Sequence, residues 1–159
     1  MAVDITVTNT HAYCFPSKLV AGNGGQHIYN LYLTADRDNG VIRSLGAWKE
    51  FEVYTEGNAP ASFAGVIREQ AADGNWYVEV TAPADAVLVC EVEDTPGTNY
   101  DKRFTDPKAF YNASGSTVRA YGLIAHDIFE ISEEGFSGIP SKGKTVTANA
   151  TTGKLVVGS

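Results

Sequence analysis

Residues 138–145 read Gly-Ile-Pro-Ser-Lys-Gly-Lys-Thr, which satisfies the pattern of a nucleotide-binding loop. In such a loop the glycines let backbone amides surround phosphates at the start of a helix, while the Lys and the Thr reach the outer phosphates and Mg²⁺. The eight residues that follow are rich in β-branched side chains and end in Gly153, so they do not predict a helix. We therefore interpret the segment as a Gly-rich turn between two strands.

Four dispersed residues, His11, Cys14, His27 and Cys90, could supply zinc ligands. Structural zinc sites normally use paired, closely spaced Cys and His residues from two knuckles. This chain has one loose pair and two isolated residues. We therefore expect no metal and no other cofactor, and two buried thiols rather than a disulfide.

Residues 36–40, Asp-Arg-Asp-Asn-Gly, are similar to the start of a calcium-binding loop. The twelfth position counted from Asp36 is Ala47, where that loop needs a bidentate Glu, so the similarity ends there. Asn39-Gly40 is instead typical of a tight hairpin, because both residues accept positive φ. It predicts that residues 41–45 return as a strand after the strand at residues 28–34.

Hydrolytic chemistry would need a nucleophile beside a base. Residues 135–138, Gly-Phe-Ser-Gly, are one residue short of a nucleophile elbow, and His126 and Asp127 would point to opposite faces of a strand. A glycosidase needs two carboxylates at a set separation. Nothing selects such a pair from the candidate acids, which are Glu91, Glu93, Asp94, Glu133 and Glu134. The residues therefore predict no catalytic site and no enzyme activity.

Composition excludes several classes of partner. The chain has 159 residues, enough for one domain, with 12 Lys and Arg against 19 Asp and Glu and a net charge of −7. This charge disfavours nucleic acid and anionic membranes, which both attract basic proteins. The first ten residues have no basic segment and no long apolar stretch, so we expect no secretory signal.

Alternation of apolar and polar residues, with a period of two, dominates the chain and predicts strands. Residues 86–92 are expected to pair with residues 76–80 across the turn at 82–85. The predicted strands cover residues 3–7, 28–34, 41–45, 51–55, 76–80, 86–92, 117–124, 127–132, 144–147 and 154–157.

Helical periodicity is nearly absent. At residues 62–72, Phe63, Val66, Ile67 and Gln70 fall near helical spacing, which leaves a short helix open there. About ten short strands separated by turn signals indicate an antiparallel β-sandwich or a barrel. We therefore predict an all-β single domain over residues 1–159, barrel-like or sandwich-like, with at most one short helix.

A long irregular excursion is predicted at residues 93–116, and an excursion of this length is usually functional or packed on a neighbour. It carries Tyr100, Phe104, Phe110 and Tyr111, which are candidate interface residues because interfaces are enriched in aromatics. A platform for sugars would use the same side chains. The aromatics outside the excursion, Trp48 and Phe51 among them, are expected mostly in the core where they alternate.

The last 25 residues are basic. Residues 135–159 contain Lys142, Lys144 and Lys154 and no acid, so this hairpin-like segment carries +3 and the rest of the chain −10. Lysines of this kind can protect edge strands from aggregation. Alternatively, they bind an acidic neighbour such as another copy of the protein, which makes the three lysines candidate interface residues.

From residue 117 onward the chain resembles small tailed-bacteriophage virion proteins of the head-decoration, or capsid-cement, kind. The resemblance is carried by residues 123–132, Leu-Ile-Ala-His-Asp-Ile-Phe-Glu-Ile-Ser, by residues 138–144, Gly-Ile-Pro-Ser-Lys-Gly-Lys, and by the ending Thr-Gly-Lys-Leu-Val-Val at 152–157. It implies a non-enzymatic β-rich protein that binds the outer capsid lattice and stabilises it. The implied partners are the major capsid protein and copies of the chain itself, as a small homo-oligomer. The implied location is the virion surface, after synthesis in the host cytoplasm.

Two alternatives stay open. One is a carbohydrate-binding or adhesion module of a virion fibre, which an exposed aromatic row with Asn and Asp clusters would favour. The other is a structural protein of the tail tube or baseplate.

Overall fold

The computed structural model describes residues 11–16, 18–19, 21, 27–91 and 110–158. These residues form twelve strands and no α-helix, and a 3-10 turn at Glu133–Gly135 precedes β10. The strands are β1 (Cys14–Phe15), β2 (Ile28–Tyr32), β3 (Ile42–Glu50), β4 (Val53–Gly57), β5 (Ala64–Gln70), β6 (Trp76–Ala82), β7 (Val87–Val89), β8 (Thr117–Gly122), β9 (Ile128–Ile131), β10 (Phe136–Ser137), β11 (Thr145–Ala148) and β12 (Leu155–Val157). The predicted strand at residues 3–7 lies outside the described residues.

The strands belong to two sheets. One is a closed barrel in the order β2-β4-β3-β7-β8, and the other has seven strands in the order β1-β9-β6-β5-β11-β12-β10. All pairs are antiparallel except β2 with β4 and β10 with β12, which are parallel. The all-β prediction is therefore confirmed.

The seven-stranded sheet is curled, as its connectivity requires. β9 ends at Ile131 and β10 begins at Phe136, so four residues join strands that are five strand positions apart in the sheet. Five positions of a flat sheet span about 24 Å, whereas that connection reaches at most about 18 Å. The sheet therefore curves until β9 and β10 approach each other.

Two hydrophobic cores hold the fold together. Strand β7 serves both, because Val87 and Val89 belong to the barrel core and Leu88 belongs to the core shared with the curled sheet. This explains why β7 is apolar without alternation, since a strand that is buried on both faces reads as a continuous apolar run. The barrel core consists of Leu31, Leu33, Val41, Val87, Val89, Val118 and Ala120.

The predicted hairpin across Asn39-Gly40 is wrong. Strand β2 pairs with β4 and β8, and β3 pairs with β4 and β7, so the strands on either side of this turn are not neighbours. Gly40 does have a positive φ of 91°. The turn conformation is therefore present, but distant contacts decide where the chain goes after it.

The predicted pairing of residues 86–92 with residues 76–80 is also wrong. Strand β6 lies between β5 and β9 in the curled sheet, while β7 lies between β3 and β8 in the barrel. The turn between them is closed by a 2.8 Å hydrogen bond from the N–H of Ala86 to the carbonyl oxygen of Pro83. This turn passes the chain from one sheet to the other.

Two further sequence-based predictions, the possible helix at residues 62–72 and the strand at residues 51–55, differ from the structure. Residues 64–70 form β5, not a helix, and Phe63, Gly65 and Ile67 alternate toward the core as a strand requires. Strand β4 begins at Val53 and includes Glu56, so the strand predicted at residues 51–55 is shifted by two residues. A two-residue turn occupies positions 51 and 52.

We expect Gly135→Ala to lower the free energy of unfolding by about 1–3 kcal/mol, because a Cβ at Gly135 would overlap the side chain of Ile131. Chemical denaturation measures the change. The matched test is the same substitution in an Ile131→Ala background, where both overlapping atoms, Cδ1 and Cγ1, are absent. Equal losses in the two backgrounds would contradict the proposed overlap.

Candidate functional site

Asn39 is buried, and both polar atoms of its side chain are used. Its Nδ2 donates to the carbonyl oxygen of Glu91 at 3.0 Å. Its Oδ1 accepts from the N–H of Glu91 and from Nδ2 of Asn112, each at 3.0 Å. Residues 91 and 112 lie on either side of most of the predicted excursion. One buried side chain therefore joins the two places where the chain enters and leaves that region.

Backbone pairing strengthens this junction. Asn112 and Arg37 exchange two backbone hydrogen bonds of 2.8 Å, and the N–H of Ser114 donates to Oδ1 of Asp36 at 2.8 Å. The chain after residue 109 is therefore fixed to residues 36–39. The side chains presented around this junction consequently have a rigid support.

An aromatic stack lies at the junction. The rings of His11 and Tyr111 are 4.9 Å apart between centroids and nearly parallel, with 29° between their planes. Nδ1 of His11 lies 2.7 Å from Oδ1 of Asp38, whose other oxygen accepts the N–H of Ala12 at 3.2 Å. Tyr111 is 44% exposed, so it presents a supported aromatic surface to solvent.

A pocket of about 210 Å³ adjoins this stack. It shares Asp38 with the stack, and Lys154 adds a positive charge to a lining that also contains Asp36 and Glu134. Its volume is below the roughly 300–1,000 Å³ of typical small-molecule sites, so it suits one side chain or one sugar ring. The lining residues are Ala12, Asp36, Arg37, Asp38, Asn39, Gly40, Val41, Glu134, Gly135, Thr152 and Lys154.

Behind the pocket, Arg37 reaches an ionic cluster around Glu56, whose side chain is fully buried. Nη2 and Nε of Arg37 donate to the carboxylate at 3.1 and 3.2 Å. The hydroxyl and the N–H of Thr34 donate at 2.7 and 3.1 Å. Nε of Arg43 lies 3.2 Å from the same carboxylate, and its Nη1 donates to the carbonyl oxygen of Thr151 at 2.7 Å.

The electrostatics of the cluster favour the charged form of Glu56. Burial alone would raise the pKa of Glu56, but hydrogen bonds from Arg37 and Thr34 and the charge of Arg43 outweigh it and lower this pKa. Burial lowers the pKa of Arg43, against the attraction of Glu56. Glu56 is consequently ionised at neutral pH, and its carboxylate holds in place Arg37, which lines the pocket.

The predicted aromatic interface residues are only partly described. Tyr111 is exposed and stacked as above, and Phe110 is half-buried. Tyr100 and Phe104 lie outside the described residues. Tyr111 is therefore the predicted aromatic that the structure places at a formed surface.

The three predicted lysines do not form one patch. Lys154 lines the pocket, whereas Lys142 and Lys144 are exposed just before β11. Val146 pairs with Val157 and Ala148 with Leu155, so Lys144 and Lys154 lie at opposite ends of the β11–β12 hairpin. The pocket and the remaining two lysines are therefore separate surfaces.

The aromatic residues at the tip of the β3–β4 hairpin were expected in the core, and this prediction is wrong. Trp48 is 56% exposed and Phe51 is 87% exposed. Glu50 pairs with Val53, so Phe51 and Glu52 form a two-residue turn. The charged residues around Phe51 in the sequence are the signal that could have predicted its exposure.

The residues considered for metal or catalytic chemistry are dispersed or engaged elsewhere. Cys14 and Cys90 are buried near each other without a disulfide, and Sγ of Cys90 lies 3.6 Å from the carbonyl oxygen of Cys14. Within the described ranges, no three His, Cys, Asp or Glu residues are grouped so as to hold a metal ion. The segment 138–145 connects β10 with β11, and a strand begins at Thr145, as the turn interpretation predicted.

His126 and Asp127 have different surroundings. His126 is exposed, with Nδ1 3.2 Å from Oε1 of Glu79, whereas Asp127 is buried and accepts the N–H of Ile124 at 2.9 Å. The hydrogen bonds of the two side chains therefore differ in partner and in exposure.

Comparison with known proteins identifies no relative: no family model, no curated protein and no solved structure matches the chain. In the part of the chain that the structure describes, no helix is long and apolar enough to cross a membrane.

Proposed function

We propose that this protein is a non-enzymatic structural protein of a tailed-phage virion, which decorates the outer capsid lattice and stabilises it. The observation that carries the proposal is the supported surface formed by Tyr111, His11, Asp38 and Lys154, which we call the Tyr111 face. The resemblance of residues 117–157 to head-decoration proteins supports the choice of partner.

The Tyr111 face has the properties of a protein-binding surface. Exposed aromatics are enriched in interfaces, and their contribution is largest where the support is rigid. The stack with His11 and the bonds around Asn39 give Tyr111 that support. The pocket beside it can receive one side chain of the capsid protein, with Lys154 available for an acidic group.

Attachment to a lattice does not need a large contact on each subunit. Many copies that engage repeated capsid sites, each supported by contacts between copies, give a strong net attachment. The partners in this proposal are the major capsid protein and copies of the chain itself. The protein would be made in the host cytoplasm and reside on the capsid surface.

The test is co-sedimentation of the purified protein with undecorated capsids. We expect Tyr111→Ala with Lys154→Glu to reduce capsid affinity at least about tenfold, which corresponds to about 1.4 kcal/mol of binding free energy. Phe15→Ala is the matched control, because Phe15 is a similarly exposed aromatic at the edge of the curled sheet, and it should bind as the wild type does.

Two outcomes would contradict different parts of the proposal. Undiminished binding of the double variant would show that the Tyr111 face is not the contact surface. If the wild-type protein does not sediment with capsids, the decoration function itself is refuted.

A second candidate is a carbohydrate-binding module, favoured by the pocket beside Tyr111. The pocket can hold one sugar ring, with Asp36 and Asp38 as hydrogen-bond acceptors. Tyr111, whose stacking partner His11 contacts Asp38, offers an apolar surface nearby. Binding to a glycan array that Tyr111→Ala abolishes, combined with no capsid binding, would favour this function over decoration.

A further inference from the structure

Two exposed surfaces outside the Tyr111 face have opposite charge. The first, the acidic knob, is the tip of the β3–β4 hairpin with Trp48, Glu50, Phe51 and Glu52. The second, the basic loop, covers residues 138–144 between β10 and β11 and carries Ile139, Lys142 and Lys144. Each surface combines two like charges with an exposed large apolar side chain, since Phe51 is 87% and Ile139 is 81% exposed.

The conformation of the acidic knob keeps Phe51 in solvent. Phe51 and Glu52 have φ values of 51° and 62°, in the left-handed region that glycine adopts more readily. Strain of this kind concentrates at functional positions. An exposed phenyl ring on a strained turn adds nothing to the folded core, which points to a role in binding.

The knob carries a net charge of −1, from Glu50 and Glu52 against Lys49, and the lysine lies at the side of the hairpin. Nζ of Lys49 lies 3.5 Å from the centroid of the Tyr32 ring, a cation–π contact on the neighbouring strand β2. Trp48 packs edge-on against Tyr54 at 5.3 Å between centroids, which fixes its orientation. Glu50 and Glu52 are then the charges on either side of Phe51.

The basic loop is held in place by the backbone. The N–H of Gly143 donates to the carbonyl oxygen of Ile67 at 2.8 Å, and the N–H of Ile67 donates to that of Lys144 at 2.9 Å. Lys142 and Lys144 are exposed, and residues 135–158 contain no acid to offset them. Among the described residues, neither these lysines nor Glu50 and Glu52 form an ion pair.

The two surfaces belong to different sheets of the fold. The base of the β3–β4 hairpin meets the turn between β11 and β12, where the N–H of Ile42 donates to the carbonyl oxygen of Gly153 at 2.7 Å. The knob extends about 20 Å beyond Ser44 along the hairpin. The basic loop lies at the opposite end of β11, so one copy can offer both surfaces at the same time.

We propose that the acidic knob of one copy binds the basic loop of a second copy, head to tail. Opposite charges guide the approach and select the partner, and Phe51, Trp48 and Ile139 become buried together. A head-to-tail contact of this kind closes into a ring when the rotation between copies permits it. This inference rests on the proposed function, because it identifies the contact through which copies of the protein associate. The contact itself does not require a capsid.

The test is the mass of the purified protein by light scattering and sedimentation velocity. We expect the wild type to exceed the monomer mass, and both Glu50→Lys with Glu52→Lys and Lys142→Glu with Lys144→Glu to weaken association at least about tenfold. The quadruple variant with all four substitutions should associate again. Its net charge is −7, as in the wild type, because two Glu→Lys and two Lys→Glu changes cancel.

A matched control changes charge elsewhere. Glu133→Lys alters an exposed acid away from both surfaces and should leave the mass unchanged. A monomeric wild type, an unchanged mass in the two reversed variants, or a quadruple variant that stays monomeric would overturn the proposal. If circular dichroism shows that a reversed variant is unfolded, the Glu→Gln and Lys→Gln pairs at the same positions take its place.

Capsid co-sedimentation of the reversed variants separates this inference from the proposed function. Variants that lose self-association but still bind capsids weakly would support both. Capsid binding by a monomeric wild type would refute the head-to-tail contact and leave decoration standing. Rings without any capsid binding would support the head-to-tail contact and refute the decoration function.

Discussion

Glu56→Gln is expected to lower the free energy of unfolding at pH 7 by about 3–5 kcal/mol, because it removes the carboxylate that balances the buried guanidinium of Arg43 and the half-buried guanidinium of Arg37. Arg37 and Arg43 both lie against Glu56, at 3.1 and 3.2 Å. Gln keeps the shape and accepts hydrogen bonds, but it leaves two positive charges without a negative partner. Urea denaturation of the variant and the wild type measures the loss.

The control is Glu69→Gln, since Glu69 is exposed on β5 and should change the free energy of unfolding by less than about 0.5 kcal/mol. Similar losses at positions 56 and 69 would contradict the role of the ionic cluster. A loss at position 56 alone would confirm it.

The stability difference between Glu56→Gln and the wild type should depend on pH. The pKa of Glu56 lies below its usual value in the folded protein. The stability from its ionised form is therefore fully present above the pKa of an unfolded glutamate, about 4.3, and is lost as the pH falls through that value toward the folded pKa. The denaturation midpoints of variant and wild type should approach each other in acid and stay apart at neutral pH.

Asn39→Ala is expected to lower the free energy of unfolding by about 2–4 kcal/mol, because it leaves three polar partners without their hydrogen bonds. These are the N–H and the carbonyl oxygen of Glu91 and Nδ2 of Asn112. The substitution acts where residues 91 and 112 are joined, so we also expect local loss of order there. Hydrogen exchange by NMR should show faster exchange of the amide of Glu91.

Asn58→Ala is the matched control for Asn39→Ala. Asn58 is exposed, and its replacement should change stability by less than about 0.5 kcal/mol and leave the exchange of Glu91 unaltered. If Asn39→Ala behaves as Asn58→Ala does, the side chain of Asn39 does not hold the junction. Reduced capsid binding by Asn39→Ala at a temperature where it is folded would link the junction to the Tyr111 face.

Predictions from the local sequence pattern were accurate for strand positions and turns, because these depend mainly on neighbouring residues along the chain. Alternation located most of the observed strands, including β2, β6, β8 and β9. The same reasoning identified residues 138–144 as a turn, because Gly and Pro restrict the backbone locally. At residues 64–70 the spacing suited both helix and strand, and only pairing with β6 and β11 decided for the strand.

Strand partners, and with them the site, could not be read from the pattern. A period of two reports which face of a strand is buried, but it does not say which strand lies beside it. For that reason Asn39-Gly40 was expected to close a hairpin, while the structure uses Asn39 to join residues 91 and 112. The partners are separated by 52 and 73 positions in the sequence, and no local signal connects them.

The amino-acid sequence by itself determined that this protein is built from strands, that it is acidic with a basic C-terminal segment, and that Tyr111 and Lys154 are candidates for binding. Those properties depend on composition and on neighbours along the chain. Only the tertiary structure decided that Lys154 lines a pocket that shares Asp38 with the Tyr111 stack, that Lys142 and Lys144 lie elsewhere, and that Phe51 is exposed. These placements follow from long-range hydrogen bonds and from the burial of two cores, which depend on residues far apart in sequence.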